Sequence, residues 1–191
     1  MWTDATLTVH QCRDLKKFQM VNYFPGIGEI ARKDLLARNL LRMQKHFPDD
    51  YNFFPKTWWL PADLAELQIH ARAHRGDTYI VKPGCGSQGR GILITKSVGD
   101  LEAVQQCICQ VYIPRPFLID GFKFDIRIYI LISSCDPLRI YAYNEGIVRF
   151  ATQKYCEPLT ENIKNVYMHL TNYAINKKHQ DFVKGEDGSK R

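Results

Sequence analysis

Lys82 stands at the end of the apolar run Tyr79-Ile80-Val81 and is followed at once by Pro83. Proline removes a backbone donor and fixes its own φ, so a lysine at this strand exit is aimed in one direction. The next residues, Gly84–Gly91, hold four glycines with Ser87, Gln88 and Arg90 among them. Glycines let successive backbone N–H groups close around an anion, and a fixed ammonium beside them suits phosphate oxygens. Further on, Gln110-Val111-Tyr112-Ile113 ends at Pro114. A strand broken there would offer free N–H and C=O groups to a planar base, although an ordinary edge strand ending at proline reads the same way. In Phe124–Ile130 the alternation is clean. Phe124, Ile126, Ile128 and Ile130 take one face; Asp125, Arg127 and Tyr129 take the other, with Lys123 just before them. On that polar face a carboxylate–guanidinium arrangement of Asp125 and Arg127 either is structural or leaves Arg127 or Lys123 to stabilise charge on a transferred phosphoryl group. Each piece alone is weak. In this order they supply a cation for phosphates, a backbone cover, an edge for adenine and a polar wall, which is what an ATP site needs.

The patterns that are absent narrow the chemistry. No G-K-[ST] follows the glycine loop, so it is no Walker A loop; Gly84, Gly86 and Gly89 have the G-x-G-x-x-G spacing, but the strand-to-helix context of a Rossmann loop is absent. No H-R-D or D-F-G occurs, which argues against a protein kinase, and no G-x-S-x-G elbow supports a serine nucleophile. Arg149 by itself is an ordinary strand arginine. His169, Thr171, Asn172 and Tyr173 make a compact polar cluster after an apolar lead-in. The six cysteines, Cys12, Cys85, Cys107, Cys109, Cys135 and Cys156, include no C-x-x-C pair and no matching set for zinc. They read as free thiols in a reducing compartment.

The elements that must position these residues can be read from periodicity. Gly28–His46 has Ile30, Ala37, Leu40, Leu41 and Met43 on one side and Arg32, Lys33, Arg38, Arg42 and Lys45 on the other, which predicts one amphipathic helix. Its basic side is a solvated face or a contact for an acidic polymer. Phe53–Leu60 reads as a loop and short strand, and a helix follows from Pro61 to about Arg75. Tyr79–Val81 and Gly91–Ile94 read as strands joined by the glycine loop, with a helix near Asp100–Gln106 and a strand over Ile108–Ile113. Phe124–Ile132 is a long strand. Leu138–Tyr143 and Ile147–Ala151 are expected to pair across Asn144-Glu145-Gly146. Met168–Ile175 reads as a strand or strand and loop, and residues 184–191 as a mobile tail. Hairpin-linked strands with a few helices indicate an α+β chain rather than a doubly wound parallel sheet.

At 191 residues the chain can form one substantial core or two small lobes. Its 45% hydrophobic and 24% charged content is that of a soluble globular protein. No run approaches the roughly 18 apolar residues of a membrane span, and the N-terminus lacks the basic start and apolar stretch of a signal peptide. The cytosol is the default. The net charge of +6 suits an acidic partner: nucleic acid, an anionic membrane face or an acidic polypeptide. The aromatics around Phe53–Trp59 are not interleaved with Lys or Arg as single-strand binders require, so they read as core.

Six phrases, FPGIGEIARKDLLARNL, FFPKTWWLPAD, YIVKPGCGSQGRGI, QVYIPRPFLIDGFKFDIRIYIL, SSCDPLRIYAYNEGIVRFAT and MHLTNYAINK, together resemble the tubulin tyrosine ligase-like family, its polyglutamylase branch in particular. The resemblance runs in register over nearly the whole chain from about Trp2. It implies an ATP-grasp-like fold and a carboxylate–amine ligase that adds glutamate to glutamates of acidic tubulin tails. ATP would phosphorylate the acceptor carboxylate, and the amine of free L-glutamate would attack the acyl phosphate. Carried over by position, Lys82 would touch the phosphates and Gln88, Gly89, Arg90 and Gly91 would cover them. Gln110, Val111, Tyr112 and Ile113 would hold adenine, and Lys123, Asp125, Thr171 and Asn172 would line the nucleotide pocket. Arg127 would stabilise the phosphoryl group. Arg149 would bind the glutamate or the acyl phosphate, with Tyr173, Ser189 and Lys190 near the amino acid. The basic helix would face the acidic tail or the microtubule.

The same resemblance sets further expectations. The lobes would divide as residues 1–60, 61–114 and 115–191. The chain would be a monomer of the cytoplasm and cytoskeleton, or of the cilium or basal body, with tubulin and microtubules as partners and neither nucleic acid nor membrane. Two departures stand out. The family's Mg2+ ligands, an Asp and a Glu-x-Asn, would fall beyond Arg191, so the chain reads as an incomplete ATP-grasp unit, weak or inactive alone. Gly84 stands where the family often has an acidic residue.

Overall fold

The computed structural model describes residues 2–3, 7–101 and 106–183. A four-stranded sheet has the order β1–β4–β2–β3, from β1 (Thr57–Leu60), β2 (Tyr79–Pro83), β3 (Leu93–Thr95) and β4 (Cys107–Val111). A three-stranded sheet has the order β5–β6–β7, from β5 (Leu118–Ile119), β6 (Phe122–Cys135) and β7 (Leu138–Lys154). The chain divides into two compact units. One comprises Met1–Arg75, Val81–Cys85 and Ser97–Val111; the other comprises Gly76–Ile80, Gly86–Lys96 and Tyr112–Arg191.

In the first unit, Thr8 opens α1 (Val9–Arg13) with a reciprocal capping pair. Its hydroxyl accepts from the Gln11 N–H while the Gln11 side chain accepts from the Thr8 N–H. The single helix expected over 28–46 is two, α2 (Gly28–Ala31) and α3 (Lys33–His46), because Arg32 is extended (φ −86°, ψ 135°). The break suits the local charge. Arg32 reaches forward to the carboxylate of Asp34, 2.7 Å away, and Asp34 sits in the first turn of α3 where the helix dipole favours an anion. β1 pairs antiparallel with β4, Thr57 opposite Gln110 and Leu60 opposite Cys107. Trp58, Leu60, Leu67 of α4 (Leu64–Ala73), Val81, Leu101, Cys107 and Cys109 are buried together with Ala37 of α3. Cys107 and Cys109 are free thiols, and burial, with the neighbouring Cys107 second, pushes the Cys109 thiol up to about 12. Both are packing residues that stay protonated. The expected helix near 100–106 is a 3-10 turn at Gly99–Leu101, with residues 102–105 outside the described ones.

In the second unit, Ile94, Tyr112 and Leu170 form a buried cluster with Ile80, Ile92, Tyr155, Ile163 and Ile175 packed against it. Here the structure corrects the sequence reading twice. β6 and β7 turn at Asp136-Pro137, with Cys135 opposite Leu138, and β7 runs unbroken through Asn144-Glu145-Gly146. That tripeptide is a bulge, not a turn. The register passes from Ile128↔Gly146 to Ile130↔Ala142, so extra residues of β7 bow outward there. Glycine is required at its edge, since a Cβ on Gly146 would lie 2.7 Å from the Arg127 carbonyl oxygen. Second, residues 168–175 are not a strand but the end of α5 (Val166–His169), a short link and the start of α6 (Tyr173–Asn176). Asparagine side chains supply the local hydrogen bonds that favour turns here: Asn162 caps Leu159 N–H and bonds Glu157 O, and Asn176 bonds Leu170 O and Asn172 O.

Candidate nucleotide-binding site

Lys82 leaves β2 half-buried in the first unit, and its ammonium donates to Gln110 Oε1 on β4 at 2.8 Å. Gln110 passes the constraint on. Its Nε2 donates to Thr57 Oγ1 at 2.9 Å, and the Thr57 hydroxyl donates to the Pro55 carbonyl at 2.7 Å. The cross-strand register Thr57↔Gln110 is what allows this relay. Among the described residues no carboxylate pairs with Lys82, and burial, followed by the charge of Lys33, lowers its pKa. The ammonium is thus half-buried and steered by a neutral amide. At the end of the same strand, a Cβ on Gly84 would stand 3.1 Å from Asp34 Cβ, Cγ and Oδ2. An acidic side chain at position 84 would therefore face a buried carboxylate.

In the second unit, the glycine loop passes repeatedly through left-handed backbone: Gly86 (φ 110°), Gln88 (φ 64°), Gly89 (φ 78°) and Gly91 (φ 69°). Gln88 is the only non-glycine residue in it to do so, and its side chain accepts from Arg90 at 3.1 Å. Gly89 is seated on Asn172, so the loop and the Thr171–Asn172 link, distant in sequence, come together. Asn176, fully buried, holds that link: its Nδ2 donates to Leu170 O and Asn172 O, and its Oδ1 accepts from Thr152 N–H and Oγ1 on β7. Asn176 was not singled out from sequence. Its only signal there is a fourth asparagine in an asparagine-rich stretch.

Along 110–113, the expected adenine edge, part of the backbone is already paired. Val111 N–H is bonded to Lys56 O and Tyr112 N–H to Thr78 O, which leaves the exposed Ile113 to offer its N–H among the described residues. The Tyr112 side chain does something else. Its hydroxyl lies 2.8 Å from Lys123 Nζ and 2.9 Å from His169 Nδ1, so Lys123 points into a buried polar cluster rather than along the strand.

On β6 the expected Asp125–Arg127 arrangement is corrected. Asp125 stands directly opposite Arg149 on β7 and binds it through both carboxylate oxygens, Nε to Oδ1 at 2.9 Å and a second, shorter bond from Nη2 to Oδ2. Directly opposite cross-strand neighbours stand closest, so Asp125 is taken by Arg149. The Asp125 carboxylate raises the Arg149 pKa further, and the fork is fixed in direction. Arg127, opposite Ile147, is exposed and has no ion pair among the described residues. Tyr173 is exposed, its ring 5.7 Å from that of Phe182. Ser189 and Lys190 lie outside the described residues. Among the described residues no group of three or more His, Cys, Asp or Glu side chains converges to hold a metal. Among the described residues no helix is long and apolar enough to cross a membrane.

The comparisons with known proteins follow this geometry. The sequence pattern of the Tubulin-tyrosine ligase family matches residues 12–191. The chain is 55% identical over 191 residues to Tubulin polyglutamylase ttll6 of Danio rerio, covering 100% of this chain and 25% of that protein. It is 56% identical to Tubulin polyglutamylase TTLL13 of Mus musculus, covering 100% of this chain and 24% of that protein. It is 47% identical to a probable beta-tubulin polyglutamylase of Tetrahymena thermophila, covering 99% of this chain and 16% of that protein. The chain thus spans about a quarter or less of the length of these curated relatives. Among solved structures, the C-terminal domain of K. lactis Pby1, an ATP-grasp enzyme, superposes with a TM-score of 0.58 at 23% identity, over 90% of this chain and 54% of that one. That likeness establishes an ATP-grasp-like fold.

Proposed function

The chain belongs to the tubulin-tyrosine ligase family, and we propose that it carries the nucleotide-handling part of an ATP-dependent ligase that joins L-glutamate to glutamate side chains in acidic tubulin tails. In this reading the γ-phosphoryl group of ATP passes to the acceptor carboxylate, giving an acyl phosphate and ADP. The amine of free glutamate then attacks the acyl carbon, expels inorganic phosphate and forms the amide. Lys82 and the Gln88–Gly91 loop hold phosphates, Ile113 offers its backbone to adenine, and Lys123, Thr171 and Asn172 line the nucleotide. Arg127, solvent-facing and uncommitted, stabilises the transferred group. Arg149, fixed by Asp125, presents the rest of its guanidinium to a carboxylate or acyl phosphate, and Tyr173 stands near the amino acid. Lobe boundaries near residues 60 and 114, a cytoskeletal setting and a monomeric state belong to the same proposal. Magnesium would neutralise phosphate charge in such a reaction, but no step is assigned to it from these residues.

The observation that carries the reading is Lys82: a half-buried ammonium, aimed by Gln110 and Thr57, with no carboxylate partner among the described residues. The test has two parts, ATP binding by calorimetry and transfer of labelled glutamate to microtubules with MgATP, each with Lys82→Ala as the control. Lys82-dependent binding and transfer support the whole proposal. Binding without transfer restricts this chain to the nucleotide step or to microtubule contact. ATP binding that ignores Lys82→Ala sinks it.

A further inference from the structure

His169 is 1% exposed and ends α5. It makes two contacts toward Lys123, one through each part of the residue. Its backbone carbonyl accepts from Lys123 Nζ at 2.9 Å. Its Nδ1 meets the Tyr112 hydroxyl at 2.9 Å, and that hydroxyl meets Lys123 Nζ at 2.8 Å. An ammonium only donates, so the Tyr112 oxygen accepts from Lys123. With the Tyr112 hydroxyl donating to His169 Nδ1, the imidazole is the neutral tautomer that carries hydrogen on Nε2. Two of the three Lys123 protons are thereby directed. The ammonium also lies 4.4 Å from the Tyr112 ring centroid and 5.8 Å from that of Tyr155, within cation–π range of both. The two tyrosine rings meet the imidazole edge-on, at 83° and 87°.

The other side of the buried ring faces the Asn162 backbone carbonyl, which favours hydrogen on the imidazole. The fold keeps a histidine one of whose ring nitrogens meets the hydroxyl that steers Lys123.

The geometry points to His169 as a positioning residue for nucleotide binding, acting through Tyr112 and through its own carbonyl to hold the Lys123 ammonium at one point. The inference rests on the reading above, in which Lys123 faces the nucleotide. It adds a residue that touches no nucleotide and yet sets affinity.

The experiment is a double-mutant cycle on ATP affinity, measured by calorimetry on the whole chain, with thermal unfolding to confirm that each variant folds. Lys123→Ala should weaken ATP binding about tenfold, the effect expected for one charge-assisted contact. Tyr112→Phe and His169→Leu should each weaken it several-fold, and neither should weaken it further when Lys123 is already alanine. His169→Asn places an acceptor close to Nδ1 and should recover most of the affinity that His169→Leu loses. Unchanged affinity in Lys123→Ala would overturn the underlying reading of Lys123. A weakened Lys123→Ala, with Tyr112→Phe and His169→Leu additive to it, or with His169→Asn as poor as His169→Leu, would overturn the positioning role alone.

Discussion

Gly89 and Asn172 meet with no room for a methyl group: a Cβ on Gly89 would stand 2.7 Å from Asn172 Oδ1 and 2.6 Å from Ile175 Cδ1. The glycine also has a φ of 78°. Any other residue is therefore excluded from position 89 twice, by contact and by backbone conformation. The loop expected to cover phosphates and the link expected to lie beside the nucleotide are fitted to one another through that missing side chain.

Gly89→Ala tests the fit. The left-handed backbone alone costs about 1–2 kcal/mol for a residue with a Cβ, and the contact with Asn172 adds to it. For a chain of this size each kcal/mol lowers Tm by about 2–4 °C. Calorimetric melting should show that loss, and ATP, expected to raise the Tm of the unaltered chain, should no longer do so in the variant. A Gly89→Ala chain with unaltered Tm would show that the loop does not sit on Asn172.

Asn176 should be worth more than its size suggests. Its side chain bonds Leu170 O, Asn172 O, Thr152 N–H and Thr152 Oγ1, and it is 1% exposed. Leucine there would leave buried backbone groups on two elements unpaired, at about 1–3 kcal/mol each. Urea unfolding should place Asn176→Leu at least about 3 kcal/mol below the unaltered chain. Asn176→Asp should also destabilise it, because a carboxylate cannot donate to the two carbonyls. A loss below about 0.5 kcal/mol would sink the idea that Asn176 organises the link.

What the sequence made legible was what one strand or loop decides by itself. The alternation in Phe124–Ile130, the aimed Lys82 and the glycine loop are local patterns, and the structure has β6, the strand exit and the left-handed turns where they indicate. Two of the failures involve a partner from elsewhere. Asn144-Glu145-Gly146 has the composition of a turn, but the register with β6 makes it a bulge. Asp125 was matched with its neighbour Arg127, yet the facing strand brings Arg149. Residues 168–175 carry β-like side chains and still form two short helical turns, where the Asn176 side chain bonds the Leu170 and Asn172 carbonyls. The Tyr112–His169 contact spans 57 residues and has no local signal at all.

The β6–β7 hairpin leaves an apolar ribbon in solvent. Ile126, Ile128 and Ile130 oppose Val148, Gly146 and Ala142, and Ile128 is 61% exposed. Soluble monomers rarely expose contiguous apolar patches beyond a few hundred Å². The folded chain should therefore bind a hydrophobic dye such as ANS, and should self-associate as protein concentration and salt rise. Ile128→Thr with Ile130→Thr keeps β-branched side chains on the strands and should reduce dye fluorescence several-fold, with less association in sedimentation. Equal dye binding by both proteins would place the exposed apolar surface elsewhere.

Stability should also fall in mild acid through His169. Burial first, and the positive charge of Lys123 second, lower the His169 pKa from its ordinary value. The native state thus favours the neutral imidazole, while the unfolded chain takes up a proton below about pH 6.5. Where the unfolded state binds more protons, stability rises with pH. The contribution of His169 is therefore complete above about pH 6.5 and is lost as the pH falls from there to the depressed native value, with a limiting slope of about 1.4 kcal/mol per pH unit. Protonation would also set a charged imidazole beside the Lys123 ammonium, with Nδ1 no longer able to accept from Tyr112. His169→Asn keeps an acceptor and has nothing to titrate. Denaturant unfolding from about pH 7.5 down to about pH 5 should show the unaltered chain losing stability faster than His169→Asn, with the two curves drawing apart only below about pH 6.5. Parallel curves over that range would mean that His169 is not held neutral by its surroundings.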